Sequence, residues 1–148
     1  EALVSESRLV GHRVLLAFPT TYMNESGRSV VRLWRRGGQD DPTRLVIVHD
    51  ELDLPPGRVK VKVGGGLAGH NGLRSVEAHL HTRDFTRVRI GVGKPPGGKE
   101  RGVGHVLSRV SGATKELLAV AVAEAADAVE LILTDGVDAA MARVNARS

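Results

Sequence analysis

Four stretches of apolar or alternating residues predict strands. The apolar run over residues 13–18, which stops at Pro19, predicts a buried strand, and the β-branched run from Leu45 to Val48 predicts a strand covered on both faces. Strict alternation of apolar and charged residues over Val59–Val63 and over residues 87–92 predicts two strands with one face in the core.

Helical spacing appears in the stretches between and after these strands. Ser26 stands where an N-cap is expected, before a helix that ends at Gly37. A second helix is predicted after Asn71, a long amphipathic one up to Gly136, and a short final one over Val137–Asn145. The residues expected to face inward are Val30, Leu33, Trp34, Leu73, Val76, Leu80, Leu118, Val122, Ala125, Val129 and Ile132.

Strands that alternate with helices predict an α/β fold in a single domain over residues 1–148, with a mixed, mostly parallel sheet flanked by helices. The 148 residues suit one domain, and 41% hydrophobic residues suffice for a core. The absence of cysteine excludes disulfides, thiolate metal sites and thiol nucleophiles. No apolar run is long enough to span a membrane, so a soluble cytoplasmic protein is expected.

Positive charge is concentrated in the middle of the chain. Residues 58–101 hold ten Lys or Arg against three acidic residues, an excess of seven, although the whole chain has a net charge of only +4. Such a segment predicts a polyanionic partner, for which phosphate is the commonest chemistry, although a solvated surface is an equally good reading of composition alone.

A glycine-rich stretch over residues 64–69 fits the pattern G-x-G-x-x-G between a strand and a helix. The pattern fits a dinucleotide site poorly, because Asp84 precedes its strand and the strand before the glycines alternates with lysines. A P-loop fails as well, since His70 stands where lysine is required. The glycines still allow a close approach of a ligand to the backbone.

Polar residues follow or precede several predicted elements. The sequence from His49 to Asp53 follows a buried strand and holds three acids that suit either a hard metal, a carboxylate orienting a histidine base, or a simple turn. Asn24 and Asn71 stand at strand-to-helix junctions, where an amide can donate to a developing oxyanion or cap a helix.

These motifs, in this order, closely resemble those of bacterial peptidyl-tRNA hydrolases. The resemblance rests on residues 19–27 (PTTYMNESG), 49–57 (HDELDLPPG), 64–73 (GGGLAGHNGL) and 87–93 (RVRIGVG). It runs from about Val14 to the last helix. It implies a cytoplasmic, monomeric α/β esterase, without metal or cofactor, that cleaves the ester joining a peptide to the terminal ribose of tRNA.

The resemblance also implies roles for single residues. Asp50 resembles the carboxylate that orients and polarises the general-base histidine. Asn24 and Asn71 resemble the amides that hold the peptide and the attacked carbonyl, and Tyr22 resembles part of the site for the tRNA end. Lys60, Lys62 and Arg89 match basic positions that face the phosphates of the acceptor stem. Leu67 and Ala68 depart from a His-Gly pair common in the family's glycine loop.

The family's N-terminal part, with a Gly-Asn-Pro-Gly turn and a Thr-Arg-His-Asn segment, has no counterpart in these residues. That part supplies a central strand and the general-base histidine, and none of the histidines at 12, 49, 70, 79, 81 and 105 occupies the motif. We therefore expect a chain truncated at its N-terminus that lacks the N-terminal strand and helix. Such a chain should be marginal in stability or prone to aggregation, and hydrolytically inactive because it lacks the base.

Two rival functions remain open from the sequence. One is a non-catalytic RNA-binding module of the same fold, as in relatives that act in organellar intron splicing. The weaker one is a nucleotide-dependent enzyme that uses the glycine-rich stretch.

Overall fold

The computed structural model describes residues 2–20, 23–37, 41–67, 70–93 and 112–147. Contacts group the chain into two compact units, one comprising Glu1–Val46 with Val63–Thr86 and the other Ile47–Lys62 with Arg87–Ser148. Strands and helices both occur, so the α/β class is confirmed. Among the described residues, no helix is long and apolar enough to cross a membrane.

An antiparallel hairpin of β1 (Ala2–Leu9) and β2 (His12–Pro19) opens the first unit. Its two-residue turn has positive φ at both Val10 (44°) and Gly11 (84°), which is the type I′ geometry that matches the twist of paired strands. The strand over residues 13–18 is confirmed, but its predicted burial is wrong. Phe18 is 71% exposed, and Leu15 and Leu16 are exposed too, so an apolar run alone did not predict burial here.

A three-stranded sheet is formed by β3 (Val46–Glu51), β4 (Val59–Val63) and β5 (Thr86–Gly91) in the order β3-β5-β4. The Thr86 amide donates to the Leu45 carbonyl and the Val92 amide to the Glu51 carbonyl, so β3 and β5 advance together and are parallel. Gly91 donates to Arg58 and Gly64 to Phe85, so β4 and β5 run antiparallel.

The mixed sheet is therefore confirmed, whereas its mostly parallel character is wrong for the described strands, of which one pair is parallel and two are antiparallel. The expectation that the Leu45–Val48 run is covered on both faces is also wrong. In the three-stranded sheet β3 is an edge strand, and Val48 is 49% exposed.

The alternation of β4 and β5 behaves as predicted on the apolar side. Val59, Val61 and Val88 are buried, whereas Lys62 is exposed and Lys60 half-buried. Val61 also pairs with the side chain of Asn145, whose amide nitrogen donates to the Val61 carbonyl at 3.1 Å and whose oxygen accepts from the Val61 amide at 2.8 Å. The Asn145 side chain thereby satisfies both backbone groups of a strand residue that does not bond to β5.

Helices α1 (Ser26–Arg36) and α2 (Asn71–Leu80) belong to the first unit. The prediction that Ser26 caps α1 is wrong, because Glu25 occupies the N-cap without a side-chain hydrogen bond and the Ser26 hydroxyl donates to the Met23 carbonyl instead. Of the residues expected to face inward, Leu73 and Val76 are buried. Val30, Leu33, Trp34 and Leu80 are half-buried.

Helices α3 (Gly112–Asp135) and α4 (Val137–Asn145) end the second unit, separated by Gly136 as predicted. The buried positions of α3 are Ala121, Ala125 and Ala128. Val122, predicted to face inward, is 58% exposed, because the apolar stripe follows these alanines and not the larger valine beside them. The loop predicted from Gly93 to Gly102 lies almost wholly outside the described residues.

Candidate functional site

The end of β3 holds three consecutive polar residues in the second unit. His49 and Glu51 are buried, and Asp50 between them is half-buried with its Oδ2 atom inaccessible to solvent. Side chains alternate along a strand, so His49 and Glu51 point to one face and Asp50 to the other. The side chain of Asp50, the candidate catalytic carboxylate, therefore lies on the face opposite to the side chains of both flanking residues, His49 and Glu51.

The His49 ring is fixed by hydrogen bonds at both nitrogens. Arg87 Nε lies 3.1 Å from His49 Nε2, and His49 Nδ1 lies 2.7 Å from the Asp50 carbonyl oxygen. A guanidinium only donates and a carbonyl only accepts, so Nε2 must be the acceptor and Nδ1 must carry the proton. His49 is thus a neutral imidazole of one defined tautomer, with its proton directed at the backbone of Asp50.

Glu51 forms ion pairs with both arginines of β5, Arg87 and Arg89. Its Oε1 atom lies 3.6 Å from Arg87 Nη2 and 3.1 Å from Arg89 Nε, while Oε2 accepts from the Asp53 amide at 3.4 Å. Since both carboxylate oxygens are bound to protein groups, the acid-rich sequence after β3 does not present Glu51 as a metal ligand. A local turn is part of the arrangement, with Glu51 accepting the amide that follows it.

Among the described residues, Arg87 is the largest fully buried side chain, with 1% of its surface exposed. Burial, followed by repulsion from Arg89, lowers the pKa of the Arg87 guanidinium, and Glu51 opposes the shift. Arg87 therefore does not face solvent beside Arg89, although both lie on one face of β5. Arg89 shares its face but keeps about a fifth of its side chain exposed, whereas Arg87 is enclosed with Glu51 and His49.

The basic positions on β4 lie opposite the arginines of β5. The bonds from Gly91 to Arg58 and from Gly64 to Phe85 set the register, which pairs Lys60 with Arg89 and Lys62 with Arg87. Directly opposite residues of an antiparallel pair share a face. Lys60, Lys62 and Arg89 therefore form one cationic face, which we call the basic face, on the sheet that carries Asp50.

The predicted asparagines lie in the first unit, where their backbone segments come together. Asn24 belongs to a 3₁₀ turn over Met23–Glu25, and Asn71 is the exposed first residue of α2. A Cβ placed on Gly72 would lie 2.7 Å from the Met23 sulfur, so the turn rests against the start of α2. Tyr22 and the Asn24 side chain lie outside the described residues.

A close crossing of α1 and α2 holds these two segments together. A Cβ on Gly27 would lie 2.0 Å from the Ser75 carbonyl oxygen, and the Gly27 amide donates to the Ser75 hydroxyl at 2.9 Å. His79 Nδ1 lies 2.8 Å from the same Ser75 carbonyl. The helix beginnings that carry the two asparagines are thus fixed by a contact that requires glycine.

His70 performs the capping that the sequence left open for Asn71. Its Nδ1 accepts from the Leu73 amide at 3.2 Å, and its backbone has the extended conformation of an N-cap. Asn71 is therefore not the cap of α2. Within the described part of the glycine-rich stretch, Gly64 and Gly65 have positive φ, and Asp84 precedes β5 as expected.

Sequence reasoning missed two features of these sites. The Glu51–Arg87 pair could not be found because arginines on an alternating strand are ordinarily solvated. The Gly27–Ser75 contact joins residues 48 positions apart and has no local signature beyond the glycine itself.

Comparisons with known proteins place these residues among relatives. A model of a family described as peptidyl-tRNA hydrolase matches residues 1–148. Peptidyl-tRNA hydrolase of Mycolicibacterium gilvum is 48% identical over 147 residues, which cover 99% of this chain and 76% of that protein. The enzyme of the same name from Nocardia farcinica is 49% identical, with 91% of this chain and 69% of the relative covered.

A solved structure gives the same result in three dimensions. The crystal structure of peptidyl-tRNA hydrolase from Acinetobacter baumannii has a TM-score of 0.88 and 41% sequence identity, and the match covers 98% of this chain and 72% of that one. The matches take in nearly all of this chain and do not support the expected N-terminal truncation.

Proposed function

The chain belongs to the peptidyl-tRNA hydrolase family, and from that membership we propose that it hydrolyses the ester between the peptide and the tRNA in peptidyl-tRNA. Its reaction is the attack of water on the ester carbonyl, with departure of the ribose oxygen. Release of the tRNA makes it available again after translation has been abandoned. The observation that carries the proposal is the match of the family model to residues 1–148. The sheet is compatible with it, because it holds Asp50 on one face and the basic face of Lys60, Lys62 and Arg89 on the other.

Asp50 is proposed to orient the histidine that activates water and to stabilise the imidazolium that forms when the proton is taken up. A carboxylate next to an imidazole favours its charged form and fixes its tautomer. Burial of Asp50 Oδ2 supports this role, because electrostatic interactions are stronger away from bulk water.

His49, the histidine next to Asp50 in the chain, is not our candidate for the general base. Its Nε2 accepts from Arg87 and its Nδ1 carries the proton, so neither nitrogen accepts a proton from water while these bonds hold. The resemblance assigns the base to a histidine in a Thr-Arg-His-Asn segment, and residues 1–148 do not contain that segment.

The substrate is proposed to lie with its acceptor-stem phosphates on the basic face. Lysine and arginine side chains that neutralise phosphates give much of the affinity of proteins for nucleic acids. Asn24 and Asn71 are proposed to bind the peptide and the attacked carbonyl, and Tyr22 to contact the tRNA end. The backbone contact between the turn at Met23–Glu25 and α2 supports a shared role for the two asparagines.

We further propose that residues 1–148 form one peptidyl-tRNA hydrolase-like domain that acts in the cytoplasm as a monomer, with neither a metal nor a cofactor. Of the rival functions, the RNA-binding module is disfavoured, because the curated relatives that match are named as hydrolases. Saturable binding of NAD or ATP would revive the nucleotide-dependent alternative for the glycine-rich stretch.

An assay of ester cleavage with peptidyl-tRNA tests the proposal, with Asn71→Ala as the informative variant. If Asn71 binds the peptide end, the substitution raises KM and lowers kcat, because productive contacts are lost in both the ground state and the transition state. Arg74→Ala is the matched control, since Arg74 is an exposed residue one turn further along α2. An Asn71→Ala variant with unchanged kcat and KM would contradict the role of Asn71. Absence of ester cleavage by residues 1–148 joined to a Thr-Arg-His-Asn segment would contradict the function.

A further inference from the structure

The buried Arg87 stands apart from the other basic residues of the sheet. Arg87 lies on the same face of the sheet as Lys62 and Arg89, but its side chain is 1% exposed and pairs with Glu51. An arginine in this setting has given up most of its contact with water, so the groups that surround it must define its position closely. Arg87 thus has a role other than contact with tRNA phosphates.

We propose that Arg87 is a positioning residue for Asp50 and acts on it through His49. This inference rests on the proposed function, because it takes Asp50 as the orienting carboxylate. Arg87 Nε donates to His49 Nε2 at 3.1 Å, and the opposite nitrogen of that ring donates to the Asp50 carbonyl at 2.7 Å. A continuous series of hydrogen bonds therefore leads from the central strand β5 to the peptide group that follows Asp50.

The planar guanidinium is suited to this task because its donors have fixed directions. Nε points to His49 while Nη2 faces Glu51 Oε1 at 3.6 Å, so the carboxylate restrains the same group that orients the ring. A lysine ammonium would keep the positive charge but would not present two donors in this geometry. Replacement of Arg87 by lysine therefore distinguishes an effect of the positive charge from an effect of the directions of the two donors.

The imidazole tautomer is the measurable consequence of the arrangement. With Arg87 present, His49 must carry its proton on Nδ1, where it fixes the Asp50 carbonyl. Without the Arg87 donor, both tautomers and the protonated ring become accessible, and the ring loses its constraint on the Asp50 peptide. A displacement of a catalytic group by about 1 Å reduces turnover by as much as about 10²-fold.

Kinetic measurements on the full chain test the proposal with Arg87→Met, Arg87→Lys and His49→Gln, and with exposed Arg147→Met as the control. We expect both Arg87 variants to lower kcat by roughly 10–100-fold, with little change in the salt dependence of tRNA binding. His49→Gln can present its amide oxygen to Arg87 but has no donor atom at the position of Nδ1, next to the Asp50 carbonyl. We expect it to lower kcat similarly, and the double variant Arg87→Lys/His49→Gln to lose no more than the more severe single variant.

Nitrogen-15 NMR of the histidine rings measures the tautomer of His49. Substitution of an arginine that only stabilised the fold would leave this tautomer unchanged. The wild-type chain should show His49 protonated at Nδ1 across neutral pH, and Arg87→Lys should convert it to a titrating mixture of tautomers. Arg87→Lys, which keeps the buried charge, covers the case in which Arg87→Met does not fold.

Several results would overturn the proposal. Full turnover in Arg87→Lys would show that only its charge matters, and a reduced salt slope in Arg87→Met with unchanged kcat would make Arg87 a phosphate contact. A wild-type His49 protonated at Nε2 would contradict the geometry. If residues 1–148 joined to a Thr-Arg-His-Asn segment cleave no ester, the proposed function fails, and the NMR measurement still decides whether Arg87 sets the tautomer.

Discussion

The position of Asp50, the proposed orienting carboxylate, is restricted by its neighbours in the fold. It lies on β3 between His49 and Glu51, whose side chains are bound to Arg87 on the neighbouring strand. The two flanking residues restrict the backbone at Asp50, so its carboxylate would enter the proposed reaction already oriented. Orientation of this kind lowers a barrier without new contacts in the transition state.

Substitution of Asp50 by Asn separates chemistry from binding. The amide is nearly isosteric but carries no negative charge to stabilise an imidazolium, so we expect kcat to fall by roughly 10²–10⁴-fold, the range typical of general acid–base catalysis. Affinity for tRNA should stay close to that of the wild type. Asp53→Asn is the matched control, because Asp53 is an exposed acid three residues away. Unchanged turnover in Asp50→Asn would mean that the acid-rich sequence is a turn and no more.

For Arg87, the sequence predicted the strand face but not the burial of the side chain. The alternation of β5 correctly predicted that Arg87 and Arg89 share a face, because that property depends on the strand alone. The burial of Arg87 depends on Glu51 and His49, which are 36 and 38 positions earlier in the chain and belong to another strand. Local patterns contain no information about that pairing.

The crossing of α1 and α2 is the contact that brings the two predicted asparagine segments together. Both helices begin beside each other, with Met23 against Gly72 and Gly27 against Ser75. The short distance between the helix backbones is possible because glycine has no Cβ. Proposed substrate binding at Asn24 and Asn71 therefore depends on a packing feature one turn away from each.

Gly27→Ala is expected to destabilise the chain by about 1–3 kcal/mol, the usual cost of inserting a methyl group into a packed contact. The added carbon would lie 2.0 Å from the Ser75 carbonyl oxygen, so the two helices must move apart. Thermal or denaturant unfolding measures the loss. Gly66→Ala is the control, because a Cβ there meets no atom of the described residues within 4 Å. Equal stability of the two variants would show that the helix crossing tolerates a wider separation.

The strands and helices show the same division between local and distant information. Val59–Val63 and Val137–Asn145 were predicted with their observed bounds, since each has a clear period and a glycine or proline nearby. The burial expected for β2 and for both faces of β3 was wrong, because burial depends on which elements lie alongside. The first strand, Ala2–Leu9, was not predicted, because its alternation is broken by polar residues.

At the level of the whole chain, positive charge is concentrated in residues 58–101, which include β4 and β5. The excess of seven charges in residues 58–101 was predicted to mark the surface for a polyanion. The register of β4 and β5 resolves this segment into a basic face of Lys60, Lys62 and Arg89, with Arg87 withdrawn from it. The excess of seven charges includes Arg87, which is buried and which a tRNA phosphate cannot approach.

The double substitution Lys60→Ala/Lys62→Ala tests the basic face as a whole. Each phosphate neutralised by a lysine releases counterions, so the loss of two such contacts should flatten the plot of log affinity for tRNA against log salt by roughly one to two units. Lys60 and Lys62 lie on the strand face opposite to the buried Val59 and Val61, and Lys60 is half-buried whereas Lys62 is exposed. Truncation of the two lysine side chains therefore leaves the core intact. The matched control removes two charges from helix α3 and the C-terminal end, as Lys115→Ala/Arg147→Ala, and should leave the slope unchanged. If both double variants flatten the slope equally, the net charge and not the basic face determines tRNA binding, whereas a slope lost in the sheet variant alone localises the phosphates on β4.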